Sequence, residues 1–198
     1  MTNEHRNFRQ RLLALAAASI GTLAASAFSY GAAIYRAANP EPLRTAALGE
    51  TVDTGRWLVT VTGSRVSDLP PTGRKPLEPK AFLLVEFEAD NRSASTAYLP
   101  SKLFTFASQE GKLASPTFYL ARDKAIGGSL HPGMPERLTA VWEWPAGETP
   151  PRELKLLIGS QIYKKRDNLY GASSWLDRDP VAVVPLAIAA KTEGAAPS

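Results

Sequence analysis

The feature that most constrains this chain is an uncharged run of 24 residues, Leu12 to Tyr35, close to its N-terminus. A helix over this run would be roughly 36 Å long at 1.5 Å per residue, which exceeds the 30 Å or so of a bilayer's hydrocarbon core. Inside lipid a helix also satisfies every backbone N–H and C=O group. The run therefore predicts one transmembrane helix over residues 12–35.

The charges that flank this run predict its orientation. Arg6, Arg9 and Arg11 precede it closely, whereas only Arg36 and Arg44 follow it. Lys and Arg accumulate on the cytoplasmic side of a membrane helix. We therefore expect a single-pass protein of the inner membrane, with a cytoplasmic N-terminus and a periplasmic or extracellular domain from residue 45 onward.

A cleaved signal peptide is an alternative interpretation of the same run. Arg6–Arg11 would form its charged region, Leu12–Leu23 its apolar region, and Ala25–Ala27 its small-residue cleavage site, so that the mature chain would begin at Phe28. A buried core helix is a third interpretation. The uncleaved anchor is favoured because apolar residues continue through Ala33–Tyr35. Anchor and signal peptide both send the remaining chain to the same compartment.

Composition excludes several functional classes. The whole chain has a net charge of +4, but residues 45–198 contain 18 Lys+Arg against 17 Asp+Glu and are nearly neutral. A nucleic-acid partner is therefore not expected, since it requires a basic patch on the domain itself. The absence of cysteine excludes disulfides, thiolate metal sites and cysteine nucleophiles. The domain must be stabilised by its core alone.

Beyond residue 49, apolar residues alternate with polar ones, which is typical of strands with one buried face. In the segment from Trp57 to Thr62, for example, Trp57, Val59 and Val61 share one face. The same alternation predicts further strands, with a short edge piece among them: Ala81–Ala89, Thr96–Leu99, Arg137–Trp144, Leu154–Ile158 and Val181–Ile188. In the last of these, Pro185 confines the strand to an edge or a bulge.

Two more segments are predicted to pair as a hairpin. Leu103–Ala107 and Leu113–Ala121 flank the turn-forming residues Gln109–Lys112, with Gly111 at positive φ. The segment Gln161–Pro180 is long, polar and aromatic, and the sequence assigns it no structure. Seven or eight short strands without a soluble helix predict an all-β sandwich.

The domain boundaries follow from these assignments. Residues 1–11 are a cytoplasmic stub, residues 12–35 the transmembrane helix or signal peptide, and residues 36–48 a proline-containing linker. The β-sandwich is expected over residues 49–190, followed by a disordered tail over residues 191–198.

Three segments resemble bacterial immunoglobulin-like domains of unknown function, which occur in membrane-anchored and secreted proteins and are related to a secreted immunoprotective antigen of mycobacteria. They are Leu48–Val52 leading into Trp57–Thr62, the strand Phe82–Asn91 that ends on an Asn, and Leu130–Gly133 followed by a strand that closes at Trp144–Pro145. The resemblance covers residues 48–160. It implies an immunoglobulin-like fold and an extracytoplasmic binding or scaffolding role, without a general catalytic motif.

Potential catalytic and metal-binding residues each have a simpler structural explanation. His131 has no second His or Cys with which to bind zinc, so we expect a turn residue. Glu86 and Glu88 lie about 6.8 Å apart along one strand face, within the range of glycosidase carboxylates, yet such pairs are common on solvated sheets. Asp167, Asp177 and Asp179 lack the spacing of a calcium loop, while Trp142 and Trp144 share a face with core residues. We therefore predict no catalytic, metal or cofactor residue.

The best candidate binding residues lie in the unassigned segment. Tyr163, Lys164, Lys165, Arg166 and Tyr170, with Trp175 beyond them, combine basic and aromatic side chains. Such a set can bind an anionic or sugar-bearing ligand or a protein partner, although it is also compatible with a solvated loop.

The sequence therefore predicts a non-enzymatic, membrane-anchored binding or accessory module of the envelope with an envelope protein as its partner. A cleaved, secreted sandwich that binds a ligand is the second hypothesis, and an envelope enzyme acting on polysaccharide is the third.

Overall fold

A computed structural model describes residues 26, 28–32, 34, 35, 42–108, 113–145, 147, 148, 150–166 and 171–188. The chain divides into two units, residues 1–42 and residues 43–198. In the first unit, the described residues between Ser26 and Tyr35 are helical.

Among the described residues, no helix is long and apolar enough to cross a membrane. Residues 12–25, more than half of the predicted span, lie outside the described residues, as do the predicted stub 1–11 and the predicted tail 191–198. The transmembrane helix therefore stays a prediction.

Nine strands build the second unit, and they form two sheets. The first sheet has the order β1-β9-β8-β5 and the second the order β2-β3-β4-β7-β6. All neighbouring strands are antiparallel except β1, which runs parallel to β9. The predicted all-β sandwich is confirmed, with these strands: β1 Arg44–Thr45, β2 Thr51–Asp53, β3 Trp57–Ser67, β4 Ala81–Asn91, β5 Phe104–Phe106, β6 Thr117–Leu120, β7 Glu136–Trp144, β8 Glu153–Lys164 and β9 Ser174–Ala187.

The core lies between the two sheets and follows the period of two in the sequence. In β3, Trp57, Val59 and Val61 are buried, and equivalent positions of β4, β7, β8 and β9 complete the same cluster. Trp142 and Trp144 belong to it, which confirms their predicted core role. The alternating strands form a sheet face because apolar side chains at every second position leave water together.

The predicted hairpin between Leu103–Ala107 and Leu113–Ala121 is wrong. Strand β5 pairs with β8 in the first sheet, whereas β6 pairs with β7 in the second. The apolar faces of the two segments meet across the core instead of lying side by side, and the Phe104 and Phe118 ring centroids are 6.3 Å apart. Gly111, the predicted turn residue, lies outside the described residues.

The predicted linker over residues 36–48 extends too far. Arg44 and Thr45 pair with Ala182 and Val183 of β9, and Ala46 is completely buried. The sandwich therefore begins inside the predicted linker, because this short strand covers the edge of β9. The predicted edge piece Thr96–Leu99 is reduced to one bridge between Ala97 and Leu130.

Strands β8 and β9 form a hairpin that was not predicted; it extends beyond the predicted strands Leu154–Ile158 and Val181–Ile188 and includes most of the unassigned segment. Its register shifts between Ile158 and Ser160. At this point the Gly159 N–H donates to the Leu103 carbonyl at 2.9 Å, and a Cβ on Gly159 would lie 2.6 Å from the Lys102 carbonyl oxygen. We call Glu153–Ile158 with Ala182–Ala187 the proximal half.

The remaining part, Ser160–Lys164 with Ser174–Arg178, is the distal half of the hairpin. Strand β5 pairs only with residues 156–158 of β8, and β1 pairs only with residues 182 and 183 of β9. The distal half therefore extends past both flanking strands as a two-stranded ribbon.

Candidate functional site

Five of the six predicted binding residues lie together at the end of the distal half. Tyr163 and Lys164 close β8, Lys165 and Arg166 follow it, and Trp175 is the second residue of β9. We call these five residues the hairpin end. The sixth residue, Tyr170, lies outside the described residues.

The two aromatic residues of the hairpin end form a cross-strand pair. Tyr163 is opposite Trp175, with ring centroids 5.4 Å apart and ring planes inclined by 52°. Cross-strand aromatic pairs of this kind stabilise an antiparallel ribbon. Lys164 is opposite Ser174 and occupies the other face, since successive side chains alternate along a strand. The hairpin end thus has aromatic rings on one face and basic groups at its margin.

Arg56, which the sequence analysis did not single out, places a cation beside these rings. Its guanidinium carbon lies 5.4 Å from the Trp175 ring centroid and 5.8 Å from that of Trp57. Burial lowers the pKa of the Arg56 guanidinium from its ordinary value. Within the described part of the chain, its Nε atom is buried without a hydrogen-bond partner. Cation–π attraction to the two indole rings therefore helps to hold this guanidinium.

A polar network connects the distal half to the turn between β2 and β3. The indole N–H of Trp57 donates to Gln161 Oε1 at 3.2 Å, and Gln161 Nε2 donates to Asp177 Oδ1 at 2.8 Å. The backbone N–H of Gln161 donates to the Thr54 carbonyl at 2.7 Å. Gln161 is only 9% exposed, so these contacts satisfy groups that would otherwise be buried without partners.

The same turn requires a glycine at position 55. Gly55 has φ of +90°, and a Cβ there would lie 2.1 Å from the Gln161 carbonyl oxygen. Its N–H donates to Asp53 Oδ1 at 2.8 Å. Only a residue without a side chain allows the turn to approach the hairpin this closely.

The outward side of the hairpin end is open to solvent. Tyr163 is 52% exposed and the adjacent Ile162 is 42% exposed, while Lys165 and Arg166 are also exposed. A projecting ribbon with aromatic, apolar and basic groups is suited to contact another surface.

The carboxylates considered for catalysis lie elsewhere, on the outer face of the second sheet. A groove of about 560 Å³ contains them. Arg65 Nε is 3.3 Å from a Glu86 oxygen, and Arg137 Nε is 3.6 Å from a Glu88 oxygen. Each carboxylate therefore has a cationic partner, as is usual on a solvated sheet face.

The remaining candidates show ordinary structural contacts. His131 Nδ1 is 3.1 Å from Thr96 Oγ1 in an exposed loop. Asp177 accepts the Gln161 hydrogen bond described above, while Asp167 lies outside the described residues. Over the parts of the chain that are described, no three His, Cys, Asp or Glu residues are placed to bind a metal together.

Sequence reasoning missed Arg56 and Gln161, which position the hairpin end. The only local indication for Arg56 is its neighbour Trp57. Trp175 is more than a hundred residues from Arg56 along the chain, as Trp57 is from Gln161, and neither periodicity nor composition predicts such pairs.

Comparison with known proteins gives one similar structure. No family model matches the chain, and no curated protein matches it. The crystal structure of an uncharacterized beta-sandwich protein from Clostridium difficile 630 is 11% identical, with a TM-score of 0.42, and the match covers 74% of this chain and 97% of that one.

Proposed function

We propose that the chain is a membrane-anchored, extracytoplasmic module of the bacterial envelope that binds other molecules and catalyses no reaction. Residues 12–35 anchor it in the inner membrane, and the sandwich acts as a binding or accessory subunit beside an envelope protein. The side chains of Tyr163, Arg166 and Trp175 at the hairpin end carry this proposal, because Tyr, Arg and Trp dominate the energetics of contact surfaces.

The resemblance to bacterial immunoglobulin-like domains supports the same role. Residues 48–160 carry it, and they include β2 to β7 of the two-layer sandwich. We assign the finer immunoglobulin-like class, and its relation to the mycobacterial antigen, on these segments. A nucleic-acid partner is disfavoured by the nearly neutral domain.

The non-enzymatic role rests on the partners of the acidic residues. Glu86 and Glu88 are each beside an arginine, and both lie on an open sheet face. Ion pairs of this kind are usual on a solvated sheet face, and this structural role supports a binding module rather than a glycosidase.

The location is tested by fractionation and N-terminal sequencing of the native protein. The anchored form is expected in the membrane fraction with an N-terminus near Met1 and a domain that external protease degrades. A mature chain that begins at Phe28 would favour the cleaved, secreted alternative. Recovery of the full chain in the cytosol would contradict both.

The binding role is tested by crosslinking in the native membrane. Replacing Lys164, Lys165 and Arg166 with Ala is expected to abolish capture of neighbours without lowering the melting temperature. The control removes three basic residues near the far end of β3, with Arg74, Lys75 and Lys80 replaced by Ala, and is expected to leave capture unchanged. Equal capture by the two variants would contradict the binding role of the hairpin end.

A further inference from the structure

The chain enters the sandwich from the side on which the hairpin end lies. Arg44 is beside Ala182, and β1 and β9 run in the same direction. The segment before Arg44 therefore approaches from the side where β9 begins. Trp175 precedes Ala182 by seven residues, which corresponds to about 20 Å of strand. The hairpin end thus projects about 20 Å beyond Arg44, toward the side from which the chain arrives.

The connection to the proposed anchor, even when fully extended, is only slightly longer than this projection. Residues 36–43 number eight and span at most about 28 Å when fully extended. If the helix over residues 12–35 is anchored as proposed above, Arg44 stays within that distance of the membrane end of the helix. The hairpin end therefore lies within reach of the membrane surface.

The chemistry of the hairpin end suits such a surface. Lys164, Lys165 and Arg166 are three consecutive cations, and basic residues are attracted to anionic lipids. Tyr163 and Trp175 are of the two residue types enriched at the membrane–water interface. The adjacent Ile162 adds an exposed apolar side chain. The end of the ribbon, where both of its faces meet, therefore combines basic, aromatic and apolar groups, and this combination is complementary to an anionic and partly apolar surface.

We infer that the hairpin end lies on the anionic phospholipid headgroups of the membrane that anchors the chain. This inference rests on the proposed function, because the anchor sets the distance and the approach. Arg56 helps to position the hairpin end, because its guanidinium contacts the side of the Trp175 ring that faces the sandwich.

Tryptophan fluorescence tests this contact directly. The chain has four tryptophans, and Trp57, Trp142 and Trp144 are at most 4% exposed. Only Trp175 is partly exposed, so it should dominate quenching by lipids that carry bromine near the headgroup. The full chain is reconstituted in phosphatidylcholine vesicles with and without phosphatidylglycerol. We expect strong quenching with phosphatidylglycerol, little without it, and none above background in Trp175→Phe.

Two triple variants test whether the contact with lipid depends on the charge of the hairpin end. Each basic residue near an anionic surface strengthens binding by about a factor of five, so the Ala replacement of Lys164, Lys165 and Arg166 should weaken the contact about a hundredfold. Replacing Arg74, Lys75 and Lys80 with Ala changes the net charge equally and should leave the quenching unchanged. High salt should also reduce the quenching, since the Debye length falls to about 3 Å at 1 M.

The outcomes separate the inference from the proposed function. Carbonate-resistant attachment to vesicles tests the anchor, whereas Trp175 quenching tests the hairpin end. Attached protein with equal quenching in wild type and Trp175→Phe would overturn the inference and leave the anchor intact. Carbonate-labile protein with charge-dependent quenching would support the contact and overturn the anchor. Absent quenching, together with protein crosslinks in native membrane that the triple variant loses, would assign the hairpin end to a protein partner.

Discussion

In the proximal half of the β8–β9 hairpin, Leu154, Leu156 and Ile158 are at most 3% exposed, whereas in the distal half Ile162 and Tyr163 are 42% and 52% exposed. The two halves belong to the same two strands, yet different interactions hold them. Core burial stabilises the proximal half. A cation between two indoles and one buried glutamine stabilise the distal half. A ribbon held by so few contacts leaves Ile162 and Tyr163 exposed at its end, where they are available for contacts.

The largest expected effect is the difference in lost stability between a substitution in the proximal half and one in the distal half. Leu156→Ala removes a fully buried side chain of the proximal half and should lower the free energy of unfolding by about 3 kcal/mol, through lost burial and a residual cavity. Tyr163→Ala in the distal half should cost less than about 1 kcal/mol, since the ring is half exposed. Denaturant unfolding of both variants measures the difference. Similar losses would mean that the distal half is part of the core.

The next effect concerns the approach of the β2–β3 turn to the distal half. Gly55→Ala combines an unfavourable positive φ with a Cβ 2.1 Å from the Gln161 carbonyl oxygen. The matched control is Gly73→Ala, since Gly73 has φ of +72° and no atom within 4 Å of its added Cβ. The control should lose about 1 kcal/mol from backbone strain alone.

Gly55→Ala should lose a further 1–3 kcal/mol or so, because the Gln161 contacts must open. Thermal and denaturant unfolding of the two variants measure the extra loss. Equal destabilisation would show that the turn does not restrain the hairpin.

The predictability of the fold from sequence also differs between these regions. Strands β3, β4 and β7 were predictable because a strict period of two marks their buried faces. The distal half was not, because the register shift at Gly159 interrupts the period and polar contacts replace core burial. The false hairpin arose from the turn-forming residues 109–112, since local turn propensity does not indicate which sheet each strand joins.

The candidate site was only partly predictable for a similar reason. Its basic and aromatic residues are adjacent in sequence, so composition indicated them. Their arrangement was not accessible, because Arg56 and Trp175 meet only after the two sheets have packed. Tyr163 and Lys164 lie on opposite faces because they are neighbours in a strand, and the sequence did not predict a strand in this segment.

A smaller effect tests the polar network of the distal half. Gln161→Leu leaves the indole N–H of Trp57 buried without its acceptor and should cost about 1–3 kcal/mol. Ser160→Ala is the control, because it removes an exposed hydrogen bond to the Asp179 carbonyl and should cost only a few tenths of a kcal/mol. Equilibrium unfolding provides both values. If Gln161→Leu were no worse than Ser160→Ala, the glutamine would not hold the ribbon.

The smallest effect concerns the edge of the proximal half, where β1 pairs with β9. The Ala47 backbone N–H and the Arg44 guanidinium lower the pKa of Glu50 below its ordinary value of 4.5. A carboxyl with a lowered pKa stabilises the folded state above that ordinary value, and this contribution disappears as the pH falls through the folded-state pKa.

Glu50→Gln should therefore reduce the loss of stability on acidification below pH 4.5, measured by unfolding at a series of pH values. Glu153→Gln changes the charge equally and serves as the control. An identical pH dependence in Glu50→Gln and wild type would remove the role of Glu50 at this edge.

The most direct test of the account places a photo-crosslinking residue at position 163 of the full chain in its native membrane. Position 77 is the control, because Leu77 is fully exposed in the loop between β3 and β4 and lies outside the hairpin end. The account predicts adducts with lipid or an envelope protein at position 163 and none at position 77. Adducts at neither position, or the same adducts at both, would contradict a contact surface at the hairpin end.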